Sequence, residues 1–366
     1  MAAKTDRFQP DYAVSPGWVL AERLEANGIS QAELARRCGR SPKLISEIVA
    51  GKAPVEAETA LQFEKVLGVD AGIWLGLETD YQLHRLRQAE AREAESSAEW
   101  AQSFPVNLLA KRGAIRKVSS AGERVTELLT FFGVASIEAW TARNETVAVA
   151  YRHSPTFESN SYALAAWLRM AEIKAERQTS KDYDRAAFMR ALRKLRLLTR
   201  AELPQALVEA RQLFADAGVA LVWVEPLPKA RLSGAARWLS PRKPLIALSG
   251  RHGSDDQIWF SLFHEAAHIL LHSKKSVFVD GDNNADNGDE AEANAWAANF
   301  LIPKPAWQRF IAAGAYRGEE EVRSFAAEQG IGPGIVVGRL QHEGRLTWRS
   351  RLNRLKAKAR LQWTDD

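Results

Sequence analysis

The chain has 366 residues, 46% of them hydrophobic, with 50 basic and 45 acidic side chains for a net charge of +5, which is enough apolar content for two or three compact domains and excludes a disordered protein. The opening MAAKTDRFQP lacks the apolar stretch of a signal peptide and no run is long enough to span a bilayer, so a cytoplasmic location is expected. A single cysteine, Cys38, rules out intramolecular disulfides and cysteine-based zinc sites, and it is expected to be a buried small hydrophobe.

In chain order, Ser15-Pro16 opens an apolar-periodic helix through Val19, Leu20 and Leu24 that Asn27-Gly28 stops. Ser30-Gln31-Ala32-Glu33 is a capping box for a helix ending at Cys38, Gly39 closes it, and Ser41-Pro42 opens the next through Leu44, Ile45 and Ile48. Two short helices joined by a tight glycine-containing turn make a helix-turn-helix. A fourth helix over 55–67 and a fifth from residue 70 complete a five-helix domain, placed at 1–81. The segment GISQAELARRCGRSPKLISEIVAGK resembles Cro/repressor-type DNA-binding domains, and most closely HigA-like antitoxins.

That resemblance implies that the helix from Pro42 enters the major groove of operator DNA. Ser41, Lys43 and Ser46 near its start would reach bases or phosphates, and Arg36, Arg37, Arg40 and Lys52 would contact phosphate. Between residues 30 and 52 there are five basic and two acidic residues, although the first hundred residues carry more acid than base. So modest a patch suits a sequence-specific reader better than a non-specific binder, and palindromic operators would favour a homodimer.

Residues 82–106 read as a polar, Ala- and Glu-rich helical connector, and 107–213 as a helical middle region with aromatic anchors such as Phe131, Phe132, Trp140 and Trp167. No chemistry is legible there. Residues 185–200 set basic side chains around Phe188, Leu192, Leu195 and Leu198 as an amphipathic helix, and the tail 345–360 reads the same way; both basic faces are expected to be solvated.

Residues 219–224 alternate around β-branched and aromatic positions, and 235–239 and 245–248 are short apolar runs bounded by Gly or Pro. They predict a small sheet, with Trp238 in its core. Residues 258–271, IWFSLFHEAAHILL, are apolar almost all round, as in a helix that runs through a core. Ser254 and Gln257 fit a capping box at its start, and Asp255 and Asp256 suit the positive end of its dipole. Within it, His264-Glu265-Ala266-Ala267-His268 places two imidazoles one turn apart on one face, able to share a tetrahedral zinc ion, with Glu265 beside the first. One straight helix cannot supply three collinear ligands, so His272 is expected to be an outer-shell or structural residue.

A hydrolytic zinc needs a third protein ligand. After a polar loop, SKKSVFVDGDNNADNG, the Ala-rich run 289–301 reads as a helix closed by Pro303. Glu290 shares its face with Ala293, Asn294, Ala297 and Leu301, a small apolar lining that permits close approach, whereas Glu292 lies on the more polar side. Glu290 is therefore the expected ligand and Asn294 an outer-shell group that orients a ligating histidine.

Here HEAAHILLH and EAEANAWAANFLIP resemble the ImmA/IrrE family of metallopeptidases, which carry HExxH followed by an ExxxN helix; Trp296 stands where Phe is more usual. The resemblance extends over about the last 170 residues. It implies zinc on His264, His268 and Glu290, with Glu265 as general base, in a thermolysin-like minimal metallopeptidase domain at 214–366. It also implies narrow, regulatory cleavage of a repressor protein. Such peptidases usually hold a substrate as an added strand along the sheet edge. His342, a lone histidine in GRLQHEG, is a further candidate for oxyanion stabilisation.

The expected architecture is thus mainly α with a small sheet (α+β): a five-helix N-terminal domain, a helical middle region and the metallopeptidase domain. The expected function is a zinc endopeptidase with a DNA-binding module. The alternative is a HigA-like antitoxin that binds operator DNA and a toxin partner, the zinc domain serving as scaffold or sensor.

Overall fold

The computed structural model describes residues 12–358 apart from 153–160, 179–180, 229, 231, 252, 274–277, 282–287 and 315. It forms two compact units, one of residues 1–99 with 119–126 and one of 100–118 with 127–366. The fold is mainly helical with one small sheet, as the sequence predicts. Among the described residues no helix is long and apolar enough to cross a membrane.

The first unit opens with helices α1 (Pro16–Ala26), α2 (Gln31–Cys38), α3 (Pro42–Val49), α4 (Ala57–Leu67) and α5 (Ala71–Ser96). Ser15, Ser30 and Ser41 each cap a helix by accepting from a backbone N–H, and Asp70 does the same for Gly72. Gly39 closes α2 with a left-handed φ of 61°, which a side chain would resist and which redirects the chain into α3. Leu20, Leu34, Ile45, Ile48, Phe63 and Trp74 are fully enclosed, each contributing roughly 1.5–3 kcal/mol of apolar burial. Cys38 lies among them, free and buried, and burial pushes its thiol up. The connector expected after residue 81 begins as a continuation of α5, which runs unbroken to Ser96.

The helices that follow are α6 (Ala98–Gln102), α7 (Val106–Lys111), α8 (Ala121–Phe132), α9 (Ile137–Arg152), α10 (Ser161–Arg177), α11 (Arg185–Leu198) and α12 (Leu203–Asp216). Strands β1 (Ala220–Trp223), β2 (Leu232–Ser240) and β3 (Lys243–Leu248) precede helix α13 (Asp255–Leu271). Strand β4 (Phe278–Gly281), helices α14 (Gly288–Leu301), α15 (Lys304–Ala312), α16 (Glu319–Gln329) and α17 (Pro333–His342), and a 3-10 turn at Arg351–Leu355 complete the order.

The sheet order is β1-β3-β2-β4, parallel between β1 and β3 and antiparallel elsewhere. Consecutive buried residues along β2 and β3 mean that both faces are covered. Helices α10 and α12 pack on β1, and α13 packs on β2 and β3. One apolar cluster runs from Phe188 and Phe214 through Trp259 and Phe263 to Leu352 and Leu355. Helix α11 points Phe188, Leu192 and Leu195 into it and leaves Arg190, Arg193 and Lys194 in solvent, so its basic face is a solvated one.

Three local expectations are corrected. The loop after α13 contains β4, because Phe278 and Val279 find ladder partners on β2. The tail forms no amphipathic helix within its described part: Leu352 and Leu355 turn into the core, and Lys358 makes an isolated antiparallel bridge with Ser254; residues 359 and 360 lie outside the described residues. Nor does the Ser254 hydroxyl cap α13. It contacts Gln257 Oε1 at 3.1 Å, while the helix start is held by Asp255 N–H donating to Ala357 O and by Ala357 N–H donating to Asp255 Oδ1.

Asp255 and Asp256 stand at the positive end of the helix dipole and are buried there. Burial first, and the neighbouring Asp256 second, push the Asp255 carboxyl up to about 6 from an ordinary 3.8. A carboxyl raised on folding leaves stability intact below pH 3.8 and withdraws it as pH rises through 6, by roughly 3 kcal/mol at about 1.4 kcal/mol per pH unit. Asp255→Asn keeps an acceptor for Ala357 and is expected to match the wild type in urea melts below pH 4, then to exceed it in growing measure to pH 7. An advantage that shrinks with rising pH would contradict this.

Candidate functional site

Helix α13 is buried along almost its whole length, and α14 reaches it through the small side chains Ala293 and Ala297. That close approach brings Glu290 to the pair His264 and His268. His264 Nε2 lies 3.1 Å from Glu290 Oε2, His268 Nε2 lies 3.5 Å from Glu290 Oε1, and the two Nε2 atoms are 3.0 Å apart. All three residues are buried, and they form a group able to hold a metal ion. Ligands about 2.0–2.1 Å from a tetrahedral centre lie about 3.4 Å from one another, so this triangle has the dimensions of one face of a zinc polyhedron.

The protonation states suit the same group. Burial pushes the Glu290 carboxyl up, but hydrogen bonds from His264 and His268 outweigh it and hold it down at about 2. Burial pushes His268 below the ordinary imidazole range, against the pull of Glu290. Two imidazoles and a carboxylate make a nitrogen and oxygen donor set that zinc accepts. His264 Nδ1 is 3.0 Å from Asn294 Oδ1; a carbonyl oxygen can only accept, so Nδ1 is the donor of this bond, which orients the ring.

Glu265 is wholly enclosed and faces β2. Opposite it stands Gly234, where a Cβ would lie 2.7 Å from Glu265 Oε1 and 2.9 Å from its Cγ. Space for the carboxylate thus depends on the missing side chain at Gly234. Phe278 stacks on the His268 ring with centroids 4.1 Å apart and planes 16° from parallel. Sequence reasoning missed both residues: Gly234 belongs to a strand whose register was not legible, and Phe278 to a segment read as loop. His342 is exposed on the last turn of α17, its ring 6.5 Å from Phe260, which in turn lies 6.2 Å from His264. Glu292 stands apart from the centre, 3.4 Å from His272 Nε2.

In the first unit, Lys43, Ser46 and Lys52 are exposed, and the Ser41 hydroxyl accepts from Leu44 N–H as the α3 cap. Arg37 and Arg36 both pair with Glu33 and hold its carboxyl below the ordinary range. Arg40 is largely covered, bridging Glu58 at 2.7 Å and donating to Gln62 Oε1 at 2.8 Å, which ties the turn between α2 and α3 to α4.

Comparison with known proteins divides along the same lines. Residues 221–341 match the IrrE N-terminal-like domain, a peptidase family, and residues 20–74 match the helix-turn-helix family. Virulence-associated protein I of Dichelobacter nodosus is 38% identical over 77 residues, which cover 21% of this chain and 71% of that protein. The uncharacterized HTH-type transcriptional regulator YddM of Escherichia coli is 31% identical over 68 residues, covering 19% and 72%. Among solved structures, the Pseudomonas aeruginosa antitoxin HigA with higBA promoter is similar at 26% identity, with a TM-score of 0.22 over 22% of this chain and 90% of that one. The chain belongs to the helix-turn-helix family through residues 20–74 and carries an IrrE N-terminal-like peptidase domain over 221–341.

Proposed function

We propose that this chain is a zinc-dependent endopeptidase joined to an operator-reading module, and that it cleaves a transcriptional repressor. Residues 1–81 would read DNA and 214–366 would carry the hydrolytic centre. The observation that supports this best is the convergence of three buried ligand atoms, from His264, His268 and Glu290, beside a buried fourth group, Glu265.

His264, His268 and Glu290 would hold the ion. A bound zinc ion supplies Lewis acidity, polarising the scissile carbonyl and bringing a water toward neutral pKa. Glu265 takes the water's proton at a carboxylate oxygen and returns it to the leaving amide nitrogen. Burial of Glu265 keeps its carboxylate from bulk solvent, and the gap at Gly234 sets where it can sit. His342 would stabilise a substrate oxyanion from the α17 side. In the other unit, exposed Lys43, Ser46 and Lys52 are the side chains left to meet DNA, while Arg36, Arg37 and Arg40 would first release acidic partners.

The purified protein is expected to contain one equivalent of zinc, to cleave the repressor that shares its operator, to lose cleavage on dialysis against a chelator, and to regain it with zinc. Cleavage indifferent to chelation would overturn the peptidase reading and leave an operator-binding regulator in which the second unit is scaffold.

A further inference from the structure

We propose that Arg196 of α11 and Arg339 of α17 are positioning residues for the hydrolytic centre: together they grip the C-terminal end of α14 and set where Glu290 falls along α13. The inference rests on reading His264, His268 and Glu290 as metal ligands. The last carbonyls of a helix have no partners within it, and Pro303, just past the end of α14, brings no N–H to continue the ladder. Arg196 Nε donates to Phe300 O at 2.9 Å and to Leu301 O at 3.0 Å. Arg339 Nη1 donates to Ala298 O at 3.0 Å and to Ile302 O at 3.1 Å. Two cations from two other helices thus take four carbonyls around the last turn, at the negative end of the helix dipole.

Both arginines are held for this contact. Burial pushes the Arg196 guanidinium below its ordinary value, and among the described residues it pairs with no carboxylate, so the end of α14 is what answers its charge. Arg339 sits 4.5 Å from the centre of the Trp307 ring, and its Nε donates to Glu343 Oε1 at 3.0 Å. Glu343 Oε2 in turn accepts from Trp307 Nε1 at 3.0 Å, which fixes the seat of the guanidinium. The rest of α14 offers no comparable stop. Besides Glu290 its buried residues are Ala293, Ala297 and Leu301. The two alanines permit close approach to α13 but raise no ridge against sliding, and the one large side chain, Leu301, lies at the gripped end. A slip of one residue moves a helix about 1.5 Å along its axis. That is enough to spoil a triangle whose sides run from 3.0 to 3.5 Å, and Asn294 would leave His264 with it.

The test pairs hydrogen exchange of α14 amides in metal-free protein with zinc titration against a competing chelator. In the wild type the amides of residues 298–301 are expected to exchange more slowly than those of 292–295, because the helix is anchored at its far end. The reverse order would overturn the grip, and this measurement needs no variant to fold. In Arg196→Met and in Arg339→Met, zinc affinity is expected to fall about tenfold, with the cobalt(II) spectrum altered. Arg196→Lys and Arg339→Lys keep a charge and a donor at the helix end and are expected to recover most of both. Leu164→Ala truncates a buried side chain on α10, which packs on β1 and β3, and supplies the comparison for lost stability alone. It is expected to melt at lower temperature with zinc affinity and cobalt(II) spectrum unchanged. Methionine variants that melt lower yet keep the wild-type affinity and spectrum would overturn the proposal, as would a Leu164→Ala protein that loses zinc as they do. A wild type that exchanges in the expected order but binds no zinc would support the grip and overturn the metal reading.

Discussion

Glu265→Gln is expected to lower repressor cleavage about a hundred- to ten-thousandfold while zinc content and thermal stability stay at wild-type values. The amide matches the carboxylate in shape, so the enclosed space beneath Gly234 remains filled, but it cannot take a proton from water. Glu290→Ala should also abolish cleavage by a different route. It removes one of three ligand atoms and leaves two buried imidazoles without their carboxylate, so zinc itself should be lost. Metal analysis beside a cleavage assay separates the two. Full cleavage by Glu265→Gln would remove the proposed general base, and loss of zinc in that variant would show that the carboxylate serves the site's structure instead.

Lys356→Met is expected to destabilise the second unit by about 3–5 kcal/mol, the cost of stranding one partner of a buried ion pair. Lys356 Nζ lies 2.6 Å from Asp256 Oδ2 and 2.7 Å from Gln341 Oε1, and all three side chains are buried. The lysine thereby ties the segment after the 3-10 turn to the first turn of α13 and to α17. Without it the Asp256 carboxylate is held in low dielectric with no counter-charge. Calorimetry should show a fall in melting temperature on the order of 10 °C. Adding Asp256→Asn should recover most of it, because neutralising both partners removes the stranded charge. If the double variant were as unstable as the single one, the loss would lie in packing of the lysine stem.

The sequence-level reading succeeded where local signals sufficed. The three serine caps and Gly39 mark the helix-turn-helix because a cap and a left-handed turn are satisfied within a few residues. The His264 and His268 pair follows from helix geometry alone. Glu290 was separable from Glu292 because one helical face is small and apolar, and α14 uses that face to meet α13. Failures came where a residue's partner is distant in sequence. Ser254 and Gln257 look like a helix cap, yet the start of α13 is held by Ala357 and Lys356, which meet Asp255 and Asp256 from a hundred residues away. Phe278 looks like loop because a four-residue strand carries little periodicity until β2 supplies a ladder.

By itself the sequence determined the helices of the first unit and α13 and α14, the presence of two modules, and the pair of imidazoles with a carboxylate beside the first, since capping, turn chemistry and a 3.6-residue period are local. Only the tertiary structure decided that Glu290 meets the His264 and His268 pair, that Gly234 leaves room for Glu265, that His272 stands behind His268, and that the tail holds the start of α13. Those facts depend on packing between segments far apart in the chain, where burial and a few ångströms of approach, and no local preference, select the partner.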